Sequence, residues 1–242
     1  MKMVSVIECV WRQALHTFAR SHTVQSFEDH FARLKALADS VSANDVKLDR
    51  CLLEWTSNSN SSNHVRKPPV TYIEIYEDHA VTIGIFVLRS GMRIPLHDHP
   101  QMHGILKVLT GTLKLQSYNI LPAVEQDTLR RRTAMGRNAI FVEKLPEVYV
   151  SDSDPACVLT PDEGNLHEIH SVDGPAAFLD ILAPPYDSSV SENEERSCHY
   201  FQERKLNEDR TLRNKNIVAL FRISSPSDFW SDSAPYTGPM LR

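Results

Sequence analysis

The feature that most constrains the fold is a series of short segments, rich in β-branched and aromatic residues, that begins at Val70. Such segments are typical of β-strands, and several of them at regular spacing predict an all-β barrel or sandwich. We expect no helices between them and a hairpin turn at Thr110-Gly111. The predicted strands cover 71–76, 81–88, 106–109, 112–115, 139–142, 148–150 and 176–182.

The amino-terminal part has a different, helical periodicity. Apolar residues between Val4 and Phe18 fall on one helical stripe, and a second stripe runs from Phe27 to Leu37. Ser26 stands where a capping residue would start the second helix. A mitochondrial transit peptide is the alternative interpretation of the first stripe.

These patterns divide the chain into three parts. We predict a helical segment over 1–55 that packs on the barrel, a flexible loop over 56–67, and a β domain over 68–242 with a carboxy-terminal extension. The loop is polar and of low complexity, so it cannot contribute to a core. The aromatic residues of the extension are expected to pack on the barrel.

Composition excludes several classes of protein. The 242 residues carry a formal net charge of −5, which argues against a dedicated nucleic-acid binder. No apolar run is long enough for a membrane span. The four cysteines are widely separated and form no CxxC pair, which excludes a zinc ribbon and indicates a reducing compartment. We therefore expect a cytoplasmic protein, and we take it to be a monomer.

The segment that carries chemistry contains His97 and His99. Residues two apart in a strand point to the same face, so these imidazoles project together while Asp98 points away, into a structural or surface role. Neutral imidazoles suit Zn, Cu, Fe and Ni. An isolated pair of this kind is as readily explained by two ordinary core or surface histidines.

Further residues resemble the two cupin motifs, which imply a small β-barrel around one metal ion. The matching positions are Gly91, His97, His99, Gly111, Gly164 and His167. The resemblance implies that His97, His99 and His167 are metal ligands. Two positions depart from the motifs, because Gly104 stands in place of the usual glutamate and Ser171 in place of the asparagine. The metal would therefore keep three neutral ligands and open coordination positions.

Longer motifs resemble the cysteamine (2-aminoethanethiol) dioxygenase and plant cysteine oxidase family, with more similarity to the animal cysteamine dioxygenases. They are the runs 95–100, 102–104, 164–167, 173–186 and 198–200, with looser similarity at 228–230 and 235–236. The resemblance implies one Fe(II) per chain and the addition of both atoms of O2 to a thiol, giving a sulfinic acid. The implied substrates are cysteamine and proteins with an amino-terminal cysteine, whose oxidation feeds an N-degron route of oxygen sensing.

Three other residues are candidates for a direct role in the reaction. Asp180 interrupts an otherwise apolar strand, and a carboxylate there is not expected to be buried without a partner. We predict that it faces the barrel interior, where it holds the substrate amine or orients a histidine. Tyr186 is placed to close the mouth of the pocket, and His103 to reach the ligands or the substrate. His170 is three residues from His167 and should face away from the site.

Several alternatives remain open from sequence alone. Three histidines also describe a zinc, nickel or manganese cupin that acts as a hydrolase or isomerase, or a cupin that only binds a ligand. The spacing of Cys198 and Tyr200 permits the thioether bond that some thiol dioxygenases carry. The simpler interpretation is a free thiol beside a packed tyrosine.

Overall fold

The structure is a computed structural model that describes residues 4–19, 23–53, 67–133, 135–186, 196–206 and 216–242. The predicted loop at 56–67 lies outside the described residues except for Lys67. The helices are α1 (Val6–Thr17), α2 (Val24–Asp39), a 3-10 turn (Arg50–Leu52) and α3 (Ala123–Thr133). The strands are β1 (Val70–Glu77), β2 (Thr82–Leu88), β3 (Arg93–Asp98), β4 (His103–Ile120), β5 (Ala139–Lys144), β6 (Val148–Ser151), β7 (Cys157–Leu159), β8 (Leu166–Ala183), β9 (Tyr200–Lys205), β10 (Ile217–Ile223) and β11 (Ser231–Ser233).

Two long strands organise the fold, which is mainly β with amino-terminal helices, as predicted. The antiparallel pair β4 and β8 runs side by side for almost its whole length. The second half of β8 also pairs with β2, and its first half pairs with β3. Following the neighbours β8-β3-β9-β10-β5-β4 returns to β8, which closes a barrel of six strands.

The predicted hairpin at Thr110-Gly111 is wrong. These residues lie inside the continuous strand β4, where the pairing with β8 shifts register. Gly111 has a φ of +77°, and a Cβ at this position would run into the backbone of Pro175 and Ala176. Glycine is therefore required by a bulge that bends the strand, and not by a chain reversal.

The expectation of no helix among the strands is also wrong, because α3 separates β4 from β5. This helix is polar almost all round, and only Gln126 and Leu129 are buried. The Gln126 amide donates to the carbonyl of Phe141 at 2.6 Å and accepts from its N–H at 2.9 Å. Hydrogen bonds between the Gln126 side chain and the Phe141 backbone thus hold α3 on the barrel. The sequence of α3 has no apolar stripe from which the helix could be predicted.

The two amino-terminal helices pack on the barrel through their apolar stripes. Ile7, Val10 and Leu34 are fully buried in one cluster with Ile83 and Ile85 of β2. The predicted capping residue of the second helix lies three residues too far along the chain. Thr23, and not Ser26, is the capping residue, because its hydroxyl accepts the N–H of Ser26.

The carboxy-terminal extension returns to the barrel, and its aromatic residues pack there. Phe229 contacts the ring of Tyr200, with 5.9 Å between centroids, and Tyr236 packs against the cluster under the helices. Strand β11 pairs with β1. Within the described residues, no helix is long and apolar enough to cross a membrane.

Candidate metal centre

Three buried histidines from different parts of the chain meet at one point. His97 is the penultimate residue of β3, His99 follows the end of that strand, and His167 is the second residue of β8. A ligand atom from each ring lies within 4.8 Å of the others. The ring centroids are 4.6 to 4.9 Å apart. Register explains the meeting, because His97 and His167 are direct partners across β3 and β8.

Backbone carbonyls fix the orientation of two of these rings. The Nδ1 atom of His97 is 2.7 Å from the carbonyl oxygen of Pro95, and the Nδ1 atom of His99 is 3.0 Å from that of Asn165. A carbonyl only accepts, so each Nδ1 must carry the proton and donate it. Each Nε2 then keeps its lone pair, which is the form that binds a metal.

Burial keeps all three imidazoles neutral. Burial lowers the pKa of His97 and moves the pKa of His167 well below its usual value. The pKa of His99 is lowered to about 3 by burial and by the repulsion that would arise if His97 and His99 were both protonated. Neutral rings can all present lone pairs to a cation at physiological pH. The cluster is therefore chemically suited to a divalent metal ion.

The position of the cupin glutamate is filled by apolar side chains. A Cβ on Gly104 would lie 2.8 Å from Cγ of Leu159 and 2.9 Å from Cδ2 of Leu182. There is no space for a fourth ligand at this position. In the part of the chain that the structure describes, no other histidine, cysteine or carboxylate joins the three histidines.

Asp98 points away from the cluster, as predicted, and connects it to two neighbouring segments. Its Oδ1 accepts the N–H of His199 at 2.8 Å, and its Oδ2 lies 3.0 Å from Nδ1 of the same residue. Its carbonyl accepts the hydroxyl of Tyr186 at 2.6 Å. Asp98 thus fixes the positions of Tyr186 and His199, whose segments border the site.

Tyr186 and Tyr200 form aromatic walls beside the histidines. The Tyr186 ring is 5.6 Å from the ring of His99, and the Tyr200 ring is 6.5 Å from that of His97, its partner across β3 and β9. Burial raises the pKa of both phenols, and hydrogen bonding with the Cys198 thiol contributes to both shifts. Cys198 forms no disulfide.

Asp180 lies in a cavity of about 270 Å³ that it shares with Tyr186, Tyr72 and Phe86. It projects from the same face of β8 as Phe178, whose cluster also contains Ile169 and therefore follows the face of His167. Burial raises the pKa of Asp180 to about 7. Because Tyr186 also contacts His99, the cavity borders the histidine cluster.

His103 does not lie with the histidines, so the expectation that it reaches the ligands is wrong. Its ring packs among aromatic residues of the two amino-terminal helices, with centroid distances of 4.9 Å to Phe27, 5.6 Å to Phe31 and 6.5 Å to Phe18. Burial in this apolar setting lowers the pKa of His103. His170 pairs with Glu168 at 3.3 Å and stays apart from the cluster.

The PCO_ADO family model matches residues 37–241. The chain belongs to the PCO_ADO family. Mouse 2-aminoethanethiol dioxygenase is 38% identical over 99% of this chain and 97% of its own length. Plant cysteine oxidase 1 of Arabidopsis thaliana is 29% identical over 73% of this chain and 56% of its own length.

The family and fold expectations are both confirmed. The chain is an enzyme of a dioxygenase family, and its strand pairing closes the small β-barrel that was predicted. A cupin superfamily protein from Desulfitobacterium hafniense matches at a TM-score of 0.33 and 11% identity, over 51% of this chain and 84% of that one.

Three residues of the site were missed by sequence reasoning. Asn165 holds His99, His199 holds Asp98, and Tyr72 lines the cavity of Asp180. Gly84, in the middle of a β-branched strand, was the available signal for Tyr72, because an isolated glycine in a strand indicates a close approach by another group. The other two contacts depend on loop geometry that the sequence does not display.

Proposed function

We propose that this protein is an Fe(II)-dependent thiol dioxygenase with His97, His99 and His167 as the metal ligands. Its substrates are small aminothiols such as cysteamine and polypeptides with an amino-terminal cysteine. The observation that carries the proposal is the cluster of three neutral, inward-facing imidazoles beside a space closed to a fourth ligand. The family to which the chain belongs supports the reaction class.

The donor set fits a redox-active divalent ion with room for substrates. Three imidazoles leave the 2+ charge of the ion uncompensated, and this charge favours the thiolate form of an incoming thiol. Bound iron would bring the thiol and O2 together and supply the redox chemistry that the side chains lack. The reaction is R–SH + O2 → R–SO2H, in which sulfur is oxidised and both oxygen atoms are retained.

The chain's own residues hold the organic part of the substrate. Asp180 is placed to accept hydrogen bonds from the ammonium group of an aminothiol, since its carboxylate opens onto the cavity beside the histidines. Ion pairing with the ammonium stabilises the charged carboxylate, against the effect of burial. Tyr186 is held by Asp98 and forms the wall between the cavity and His99.

The wider role follows from the substrate class. Oxidation of an amino-terminal cysteine would mark a protein for N-degron turnover in proportion to available O2, which makes the enzyme an oxygen sensor. We propose that it works in the cytoplasm as a monomer with one iron per chain. We propose no role for the protein in binding nucleic acids or membranes.

The test is mass spectrometry of a peptide with an amino-terminal cysteine, with cysteamine as a parallel substrate. The protein is loaded with Fe(II) without oxygen and then exposed to O2. We expect an oxygen-dependent gain of about 32 Da on the thiol, and the ratio of the two rates gives the preferred substrate. No gain on either thiol, with iron confirmed bound, would refute the proposal and favour a hydrolase, isomerase or ligand-binding cupin.

A further inference from the structure

Tyr72 lies across Gly84 in a way that puts its hydroxyl into the cavity of Asp180. Tyr72 is in β1 and Gly84 is in the neighbouring strand β2. A Cβ built on Gly84 would overlap the Tyr72 ring at Cε2 and would lie 2.6 Å from its hydroxyl oxygen and 2.8 Å from Cζ. The phenol therefore occupies the space in which any other residue at position 84 would place its side chain.

Register brings this hydroxyl next to Asp180. Gly84 is the direct antiparallel partner of Asp180 across β2 and β8. Side chains of directly opposite residues lie on one face of a sheet, with their Cβ atoms about 5 Å apart. The Tyr72 hydroxyl, at the place of the missing Cβ, is thus a near neighbour of the Asp180 side chain. The charge of Asp180 accordingly contributes to a raised pKa of Tyr72, after burial.

The ring is held in this position by aromatic packing. Its centroid is 5.0 Å from that of Phe86, which stacks in turn on Phe178 at 5.3 Å. The backbone at Tyr72 is fixed too, because its carbonyl accepts the N–H of Ala234 at 3.0 Å. The hydroxyl is therefore presented by a rigid support, which keeps the entropy cost of binding a ligand low.

Two polar groups line the cavity, the Asp180 carboxylate and the Tyr72 hydroxyl. Among the residues that the structure describes, none hydrogen-bonds the Asp180 carboxylate or the Tyr72 hydroxyl. Both residues line one cavity, and a ligand with N–H donors in that cavity would satisfy both groups. An ammonium group carries three N–H donors and a positive charge, and it can serve both oxygen atoms at once.

We infer that Tyr72 is a specificity-determining residue whose hydroxyl accepts a hydrogen bond from the ammonium group of the substrate while Asp180 accepts another. The inference rests on the proposed function, because it assigns the amine subsite of the same pocket. Gly84 is the positioning residue that leaves space for the ring. The consequence is selection for aminothiols over thiols of equal size that lack an amine.

The test compares two thiols of equal length, cysteamine and 2-mercaptoethanol, in the iron-loaded enzyme. Tyr72→Phe keeps the ring and removes the hydroxyl. One hydrogen bond to a charged group stabilises binding enough to change affinity by about 10-fold. We expect the KM for cysteamine to rise by about this factor with little change in kcat, and the KM for 2-mercaptoethanol to stay as in the unmodified protein.

Two further variants separate a binding role from a structural one. Tyr76→Phe removes a hydroxyl from the same strand that bonds Asp78 at 3.0 Å, and it should leave both KM values unchanged. Gly84→Ala must displace the ring of Tyr72, so it should weaken cysteamine binding as Tyr72→Phe does. Calorimetric titration of the zinc-loaded protein with cysteamine in the absence of O2 provides a readout independent of turnover.

The outcomes distinguish this inference from the proposed function. If the unmodified enzyme oxidises cysteamine but Tyr72→Phe binds it equally well, the assignment of Tyr72 is wrong and the proposed function stands. A loss of the same size for both thiols would also overturn the assignment, because the ring and not the amine contact would then matter. If the unmodified enzyme oxidises neither thiol, the proposed function fails and the inference fails with it.

Discussion

Asn165 provides a sharp test of how the metal centre is supported. Its side-chain oxygen accepts the N–H of His99 at 3.2 Å, and its side-chain nitrogen donates to the carbonyls of His99 at 2.6 Å and Thr160 at 3.0 Å. Only 6% of Asn165 is exposed, so water cannot replace these bonds. Asn165→Ala leaves backbone groups of His99 without partners in a buried site.

The size of the effect follows from the bonds that are lost. A buried polar group left unsatisfied costs about 1–3 kcal/mol, so the loss of both His99 contacts should lower the free energy of unfolding by about 3 kcal/mol. Residues that support a metal ligand change affinity by about 10–100-fold. We expect the lower end of that range, because the carbonyl that orients Nδ1 of His99 belongs to the backbone of Asn165 and survives the substitution.

Two measurements and a matched control check this prediction. Urea denaturation of the metal-free protein gives the change in stability, and competition with a chromophoric chelator gives the change in metal affinity. Asn119→Ala removes one bond, from the N–H of Gly164 at 2.8 Å, close to the site but not to a ligand. It should lower stability by about 1 kcal/mol with unchanged metal affinity. Unchanged metal affinity in Asn165→Ala would refute the supporting role.

Three further substitutions test other parts of the structure. Burial raises the pKa of Asp180 to about 7 from 3.8, so the folded protein keeps a proton that the unfolded chain releases between these pH values. The free energy of unfolding therefore falls as the pH rises from about 4 to about 7, and urea denaturation of Asp180→Asn should lack this contribution to the fall. Gly104→Ala should lower the melting temperature, because its methyl group would press on Leu159 and Leu182 at a cost of about 1–3 kcal/mol, and an unchanged melting temperature would show that the leucines yield freely. Gln126→Ala should expose the region of α3 to limited proteolysis, since its amide provides both bonds to β5, and wild-type resistance would contradict that role.

Sequence predicted the parts of the fold that follow from local patterns. Segments rich in β-branched and aromatic residues predicted β1, β2, β5 and the second half of β8, and the apolar stripes predicted α1 and α2. The prediction failed at Gly111, because a glycine with a positive φ suits a bulge within a continuous strand as well as it suits a hairpin turn. It failed at α3, because a polar helix held by one glutamine has no periodic signal.

The residues of the candidate site, like the elements of the fold, could be predicted only in part. His97, His99 and His167 were named from motifs, and the structure brings them together because strand register does. His103 was placed at the site because it follows the motif closely, yet its side chain packs against the helices. The contacts of Asn165 arise from pairings between segments far apart in sequence, which no local pattern reports.

Metal content tests the central claim most directly. The protein is incubated with Fe(II) without oxygen, freed of unbound metal and analysed by elemental mass spectrometry. We predict one iron per chain in the unmodified protein and in the control His170→Ala, and almost none in His97→Ala, His99→Ala or His167→Ala, with each variant shown to be folded by circular dichroism. Full iron occupancy in any one of these three variants would contradict the account.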